Sequence, residues 1–387
     1  MKNVRFIDGI QPSLPEMIEI RHEIHRYPEL GFQEHHTSQL VARKLKSWGY
    51  EVVTNIAGTG VVASLRVGDN KKVIGLRADM DALPIQEHAS HAYSSQQGGV
   101  MHACGHDGHT TTLLAAAKYL AETQNFSGTV RLIFQPAEEG LGGAKRMVEE
   151  HVFEKFPCDV IYGYHNVPGL PLGKLCFLSG IATAASDRAR IVIKGRSGHG
   201  AKPHTAVDPI ITGASIVNAF QTIISRNIDP LESGIITIGS FTSGDAYNII
   251  PETAELRLSI RSYTLEVREI LEQRIKDIAV QQAQAFGAEV EIEYWHNNPP
   301  VINDPSATEF ACQVAENLFG KDQIVERKQP FSFSEDFSFM QQACKGCYFF
   351  IGNGDSPDLH NDHYDFNDSN LLTGASFWVA LVEQYLS

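Results

Sequence analysis

The feature of this sequence that constrains its fold most is an alternation of strand-like and helix-like segments over residues 73–167. The strand-like segments are short and apolar, and the segments between them carry apolar residues at helical spacing. In order along the chain, they are VIGLRADMDALP, HTTTLLAAAKYLAET, TVRLIFQPAEEG, GAKRMVEEHVFEKF and VIYGYHNV. Because strands joined through helices pair in parallel, the pattern predicts an α/β fold with a mixed, mostly parallel sheet flanked by helices.

A different rhythm runs from about residue 185 to residue 296. Its strand and helix patterns follow the order βαββαβ, which is typical of a ferredoxin-like unit. The chain has 387 residues, and a single core stops growing at roughly 250–300 residues, so two domains are expected. We predict a discontinuous catalytic, metal-binding domain of residues 1–184 and 297–387, interrupted by a smaller domain of residues 185–296.

Charge and apolar content argue against several classes of partner. The formal net charge is −14 at pH 7, whereas a nucleic-acid-binding surface, or one that binds anionic lipid, must be basic. The sequence contains no run of about 18 apolar residues, which is the length that a membrane span requires. The first 20 residues lack the continuous apolar stretch of a secretory signal. We therefore predict a cytoplasmic protein that binds neither nucleic acid nor membrane.

The cysteines do not form a disulfide framework. Six in a chain of this length are too few, and the lone pair Cys344 and Cys347 has no second pair beside it. We expect this pair to be reduced, with one or both thiols packed in the core.

Residues that can bind metal or move protons gather where predicted strands end. They are Asp79 and Asp81; Cys104, His106, Asp107 and His109; Glu138 and Glu139; His165; and, far downstream, His360 and His363. Ligands of open α/β sheets bind at the carboxyl ends of the strands. Each signal alone also has an ordinary explanation, such as an incidental Cys-x-His, a solvated helix start or a buried histidine. Their joint occurrence at successive strand ends favours a metal site.

The types and spacing of these residues suit metal-assisted hydrolysis. Imidazole, thiolate and carboxylate are ligands of divalent cations. Cys104 and His106 alternate, so in an extended stretch both side chains would point to one side. Glu138 and Glu139 point in different directions, so one can bind metal while the other acts as a base. A structural zinc site usually has several cysteines at short spacing, and only Cys104 lies near this cluster.

Taken together, the motifs resemble those of the metal-dependent amidohydrolases, which include aminoacylases, hippurate hydrolases, acetyl-diaminopimelate deacetylases and plant hydrolases of indole-acetyl amino acids. The resemblance covers essentially the whole chain, through RHEIHRYPELGFQE, GLRADMDALP, MHACGHDGHT, FQPAEEG, GRSGHGAKPH, NIIPETAEL, SFSEDFSFM and LHNDHYDF. It implies hydrolysis of N-acyl amino acids to a carboxylic acid and a free amino acid, through attack of a metal-bound water. It also implies a zinc-peptidase-like catalytic domain, an inserted lid and dimerisation domain, and a homodimer or a dimer-based tetramer.

The resemblance assigns ligands for two divalent metal ions per subunit. By their place in the motifs, these are Cys104, His106, Glu139, His165 and His360. Related two-zinc peptidases carry a His-x-Asp at the first strand end, where this chain has Asp79-Met80-Asp81. Cys104-x-His106 therefore takes over that role by resemblance, and the metal is expected to be manganese or zinc, with cobalt or nickel also compatible.

The resemblance also assigns residues that act on the substrate. Glu138 corresponds to the general base. His199 resembles a lid histidine that stabilises the oxyanion, in its own subunit's site or its partner's. Asn248 and Arg261 resemble residues that hold the substrate carboxylate or the oxyanion.

Two other functions remain open at this point. A dipeptidase or carboxypeptidase would use the same site on a different amide. A non-catalytic ligand-binding homologue is the third alternative, although such a binder has no need of a base such as Glu138.

Overall fold

The computed structural model describes residues 5–387, so the first four of the 20 residues that were compared with a secretory signal lie outside the described part. The helices are α1 (Leu14–Arg26), α2 (His35–Ser47), α3 (His106–Thr123), α4 (Gly143–Glu149), α5 (Val152–Lys155), α6 (Pro209–Asn227), α7 (Leu265–Ala285), α8 (Pro305–Phe319), α9 (Phe337–Ala343) and α10 (Ser369–Tyr385). None of the helices within residues 5–387 has the length and apolarity that crossing a membrane requires.

The described residues form sixteen strands. They are β1 (Glu51–Ile56), β2 (Gly60–Val67), β3 (Val73–Asp79), β4 (Gly128–Gln135), β5 (Val160–Pro168), β6 (Leu175–Cys176), β7 (Gly180–Ile181), β8 (Ala185–Lys194), β9 (Gly198–His199), β10 (Gly234–Thr242), β11 (Ile249–Ile250), β12 (Thr253–Ser262), β13 (Glu289–His296), β14 (Ile302–Asn303), β15 (Ile324–Val325) and β16 (Gly346–Gly354).

The described chain divides into two compact units. The larger contains the described residues up to Ala182, Ile302–Pro330 and Asp336–Ser387, and the smaller contains Thr183–Val301 and Phe331–Glu335. The smaller unit thus includes the predicted residues 185–296 and also a short segment from far downstream. That segment enters the unit through a parallel bridge between Thr183 and Phe331, a pairing that no local pattern indicates.

The sheet of the larger unit follows the order β1-β2-β4-β3-β5-β16-β6-β15 in the described residues. Its centre is parallel, because β3 pairs in parallel with β4 and β5, and β5 pairs in parallel with β16. The flanking pairs β1–β2, β2–β4 and β16–β6 are antiparallel. The prediction of a mixed, mostly parallel α/β sheet flanked by helices is confirmed.

The core of the larger unit explains why its central strands are so apolar. Every residue of β16 from Gly346 to Asn353 is buried. The Phe349 ring stacks on Tyr164 of β5 at 5.6 Å and meets Trp378 of α10 edge-on at 5.2 Å. Strands covered on both faces must be apolar along their whole length. Cys344 and Cys347 are free and buried, as predicted.

The smaller unit contains a four-stranded antiparallel sheet in the order β10-β12-β8-β13. Alternate residues of β8 and β12, among them Ile191 and Leu258, are buried with Phe220 of α6 and Ile275 of α7. The opposite face carries charged residues, as alternation along a half-buried strand requires. Helix α6 begins after Asp208, whose carboxylate accepts a hydrogen bond from the Ile210 amide at 2.8 Å.

Candidate metal centre

The candidate centre lies at the carboxyl edge of the parallel part of the larger unit's sheet. Asp79 ends β3 and pairs with Gln135 at the end of β4. His165 lies near the end of β5, and the loop after the neighbouring β16 carries His360. Because neighbouring parallel strands end at the same edge, segments distant in sequence meet there.

The structure brings the five residues predicted as metal ligands, together with Glu138, into one cluster. Potential ligand atoms lie within 4.8 Å of one another in three groups made only of these residues: Cys104, His106 and His165; Cys104, Glu139 and His360; and His106, Glu138 and Glu139. The Cys104 sulfur lies 3.3 Å from His165 Nε2, and Glu139 Oε1 lies 3.2 Å from His360 Nε2. The first two groups share only Cys104, as expected for two cation positions that share one thiolate.

The backbone between Cys104 and His106 differs from the prediction. We expected an extended stretch, but Gly105 has a φ of +90° and His106 begins α3. A Cβ at position 105 would clash with the Asn166 side chain and lie 2.7 Å from the Tyr364 hydroxyl. The two side chains therefore converge through a left-handed glycine rather than through strand alternation.

Asp81 orients two of the candidate ligands. His106 Nδ1 lies 2.9 Å from the Asp81 carbonyl and 3.2 Å from Asp81 Oδ1. His106 Nε2 is buried and has no hydrogen-bond partner among the described residues. The other Asp81 carboxylate oxygen accepts a hydrogen bond from the Glu139 amide at 2.9 Å. A histidine fixed at Nδ1 by an acceptor, with Nε2 left over, is the usual arrangement of a metal ligand.

His360 comes from an irregular segment, residues 355–368, which we call the His360 loop. The His360 side chain is 52% exposed. The φ of His360 is +64°, a conformation that a residue with a side chain seldom adopts. The His360 amide donates a hydrogen bond to the Ala103 carbonyl at 2.8 Å. That bond holds the loop beside Cys104.

The carboxylates around Cys104 and His106 create a negative environment that would stabilise bound cations. Burial, followed by the Glu139 and Glu138 carboxylates, raises the pKa of the Cys104 thiol well above its usual value. Burial opposes protonation of His106, but the Asp79 and Asp81 carboxylates outweigh it and raise its pKa to about 10. Acids concentrated around a thiol and an imidazole are stabilised by positive charge. Soft and hard donors together fit a divalent transition metal.

Sequence reasoning missed a buried support beneath this cluster. Arg77 binds Asp79 at 2.7 Å and Asp336 at 3.1 Å. Asp336 also accepts a hydrogen bond from Gln135 at 2.7 Å, and its amide donates to Glu138 Oε1 at 3.4 Å. The resemblance included the segment SFSEDFSFM, but only the fold shows that Asp336 lies behind Glu138.

Two other predicted candidates, His363 and Asp107, lie outside the potential ligand groups of the described residues. His363 bonds through Nδ1 to Asp362 at 2.6 Å, and Asp107 bonds to His25 at 2.8 Å. His109 forms a further group of potential ligand atoms with Asp79 and His106, and its Nδ1 lies 2.7 Å from Asp79 Oδ1.

Three residues predicted to act on the substrate, the catalytic candidate His199 and the substrate-binding candidates Asn248 and Arg261, belong to the smaller unit. His199 and Asn248 are exposed and close together, because His199 pairs with Ile249 and the Gly200 amide donates to the Asn248 carbonyl at 2.8 Å. Arg261 is half-buried on β12, opposite Ser186.

Comparisons with known proteins identify the family. The model of the peptidase family M20/M25/M40 matches residues 75–384. The chain belongs to this family. Hippurate hydrolase of Campylobacter jejuni is 47% identical over 371 residues, covering 96% of this chain and 97% of that protein. Thermostable carboxypeptidase 1 of Saccharolobus solfataricus is 38% identical, covering 87% and 85%.

Among solved structures, the YXEP protein of Bacillus subtilis, a dinuclear metal-binding peptidase of the M20 family, aligns with a TM-score of 0.84. It is 30% identical, and the alignment covers 97% of this chain and 99% of that one. The resemblance to amidohydrolases drawn from the motifs is thereby confirmed at the level of the family.

Proposed function

We propose that this M20 family member hydrolyses the amide bond of N-acyl amino acids, releasing a carboxylic acid and a free amino acid. The observation that carries the proposal is the pair of ligand groups that share Cys104, with the Glu138 carboxylate beside them. Similarity to a hippurate hydrolase along nearly the whole chain supports the same class of substrate.

The centre would hold two divalent cations. Cys104, His106 and His165 would bind one, and Cys104, Glu139 and His360 the other. When bound, the cations would lower the pKa of a water and polarise the amide carbonyl. Manganese and zinc suit the mixed donor set best, and cobalt or nickel are also compatible.

Glu138 would act as the general base and acid. It is buried, and its contact with the Asp336 amide gives its carboxylate a fixed position. It would accept a proton from the attacking water and donate it to the leaving amine, which becomes the free amino acid.

The smaller unit would act as a ferredoxin-like lid and dimerisation domain in a homodimer or a dimer-based tetramer. Within it, Arg261 would bind the substrate carboxylate through its planar guanidinium. Burial and the neighbouring Arg188 lower the pKa of Arg261, and a bound carboxylate would offset both effects. His199 would stabilise the oxyanion, and Asn248 would contact the substrate or the oxyanion. We expect the enzyme to be cytoplasmic.

The substrate class can be tested with metal-free protein reloaded with manganese, zinc, cobalt or nickel. We expect turnover of N-benzoylglycine and N-acetyl amino acids, and much weaker turnover of the matching N-acyl amino acid amides, which lack the carboxylate. Arg261→Ala should raise KM for the acids by roughly ten- to a hundredfold, the usual loss of a charged hydrogen bond. It should leave KM for the amides near the wild-type value. A metal-loaded protein that turns over none of the N-acyl amino acids would refute the proposal.

The relative from Saccharolobus solfataricus, a carboxypeptidase by name, favours peptide hydrolysis as the second candidate. Unblocked dipeptides and longer peptides in the same assay distinguish the two. If kcat/KM for peptides exceeds that for N-acyl amino acids, the second candidate replaces the first.

A further inference from the structure

A single buried guanidinium connects the two distant segments that carry His106 and His360. Arg21 of α1 has a fully buried side chain. Its Nη1 lies 3.3 Å from Asp107 Oδ2 and 3.0 Å from Asp365 Oδ1, and its Nε lies 2.7 Å from Asp368 Oδ1. Asp107 directly follows His106, and Asp365 lies five positions after His360 in the His360 loop.

The Asp107 end of this connection is held twice. His25, one turn after Arg21 on α1, bonds through Nδ1 to the same Asp107 oxygen at 2.8 Å. Asp107 is itself fully buried in the first turn of α3. The start of α3 is therefore fixed to α1 independently of Asp365, and His106 also has its own support from Asp81.

The Asp365 end has further contacts of its own: its backbone carbonyl accepts a hydrogen bond from Asn353 Nδ2 at 3.1 Å, and its carboxylate lies 3.9 Å from His91 Nε2. Its second oxygen accepts a hydrogen bond from the Tyr93 hydroxyl at 2.7 Å, and the Arg21 guanidinium lies over the Tyr93 ring at 4.4 Å. The loop itself has no helix or strand between β16 and α10. The left-handed backbone at His360 is costly for a residue with a side chain, so contacts elsewhere must hold it.

We propose that Asp365 and Arg21 position His360, and that their ion pair keeps the His360 loop where His360 and Glu139 can bind the same cation. The inference rests on the proposed metal centre. A buried arginine is tolerated only when paired, so Arg21 keeps its carboxylates at fixed positions. Loss of the Asp365 carboxylate removes the ion pair between the loop and Arg21 without removing a ligand. It should weaken the cation held by Cys104, Glu139 and His360, and spare the cation held by Cys104, His106 and His165.

The chain offers a matched control. Asp368 binds the same guanidinium, and its side chain is 27% exposed against 26% for Asp365. Asp368 directly precedes α10, which places it farther from His360 along the chain. Asp365→Ala and Asp368→Ala therefore remove equivalent charges from Arg21 but should differ in their effect on His360. Asp365→Asn keeps a polar group facing both Arg21 and Tyr93 and should rescue most of the loss.

The test is calorimetric titration of each metal-free protein with Mn²⁺. For the weakened cation we expect Asp365→Ala to raise Kd by roughly ten- to a hundredfold, as is typical when a group that orients a metal ligand is lost. His360→Ala should weaken the same cation, whereas Asp368→Ala should match the wild type. Urea midpoints should fall similarly in Asp365→Ala and Asp368→Ala. If Asp365→Ala does not fold, Tyr93→Phe, which removes the hydrogen bond to Asp365, is compared with Asp368→Asn, and Tyr93→Phe should show the larger rise in Kd.

Two results would overturn the inference. One is unchanged Mn²⁺ binding in folded Asp365→Ala, or in Tyr93→Phe where Asp365→Ala does not fold. The other is equal weakening in the Asp365 and Asp368 variants, which would reflect lost charge balance rather than positioning. Because titration requires no turnover, the proposed function is tested separately: wild-type protein that binds two Mn²⁺ ions without hydrolysing N-acyl amino acids contradicts that function alone. Wild-type protein that binds fewer than two contradicts the metal centre and this inference together.

Discussion

Replacing Glu138 with alanine is expected to reduce kcat for N-acyl amino acids by at least roughly 10²–10⁴-fold, the contribution usual for a positioned general acid–base group. The metal content should stay at the wild-type value, because both ligand groups that share Cys104 are complete without Glu138. Steady-state kinetics on metal-loaded protein, with the metal measured in the same sample, would give both kcat and the metal content. KM should change much less than kcat, because the proton transfer occurs in the transition state.

Two further variants separate the role of Glu138 from a general effect of removing acid from the cluster. Glu138→Gln keeps the shape and the contact with the Asp336 amide but cannot take a proton, so it should be as inactive as Glu138→Ala. Glu139→Ala should instead lose metal, because Glu139 belongs to the group with His360. Turnover that survives in Glu138→Gln would show that another group is the base.

The candidate centre was predictable because its residues follow strands whose direction the sequence reveals. Once β3, β4 and β5 are recognised as parallel, the positions of Asp79, Glu138 and His165 at one edge follow from the topology. His360 has no such local signal, because the loop that carries it has no regular pattern. Only the family resemblance connected it with the others, and only the fold shows the Ala103 carbonyl that holds its backbone.

What the sequence could not indicate are contacts between residues that lie far apart along the chain. Arg21 and Asp365 are separated by 344 positions, and neither has a neighbour whose spacing suggests an ion pair. Asp336 likewise reaches Gln135 over 201 positions. The left-handed turn at Gly105 also depends on distant residues, because Asn166 and Tyr364 pack against it. The spacing of apolar residues predicts which face of a helix or strand is buried, but it does not predict which residues pack against that face.

Cys104 is the residue whose loss should affect the centre most, because it is the one donor that both three-residue ligand groups share. Cys104→Ala is expected to weaken both cations, whereas His165→Ala and His360→Ala should each weaken one. Metal per subunit, measured by emission spectrometry after gel filtration, distinguishes these patterns. The fold should persist, because the substitution removes a single sulfur atom and leaves the strands around the site unchanged.

Cys104→Ser tests the chemistry of the same position. A hydroxyl can still contact a cation, but it lacks the soft, ionisable thiolate that favours zinc. Zinc affinity should therefore fall more than manganese affinity. Competition with a chelator measures both affinities. In the free protein, burial and the Glu139 and Glu138 carboxylates raise the pKa of the Cys104 thiol, so the wild-type residue should release a proton as metal binds. Two cations retained at wild-type affinity in Cys104→Ala would mean that the two groups are not joined through this sulfur.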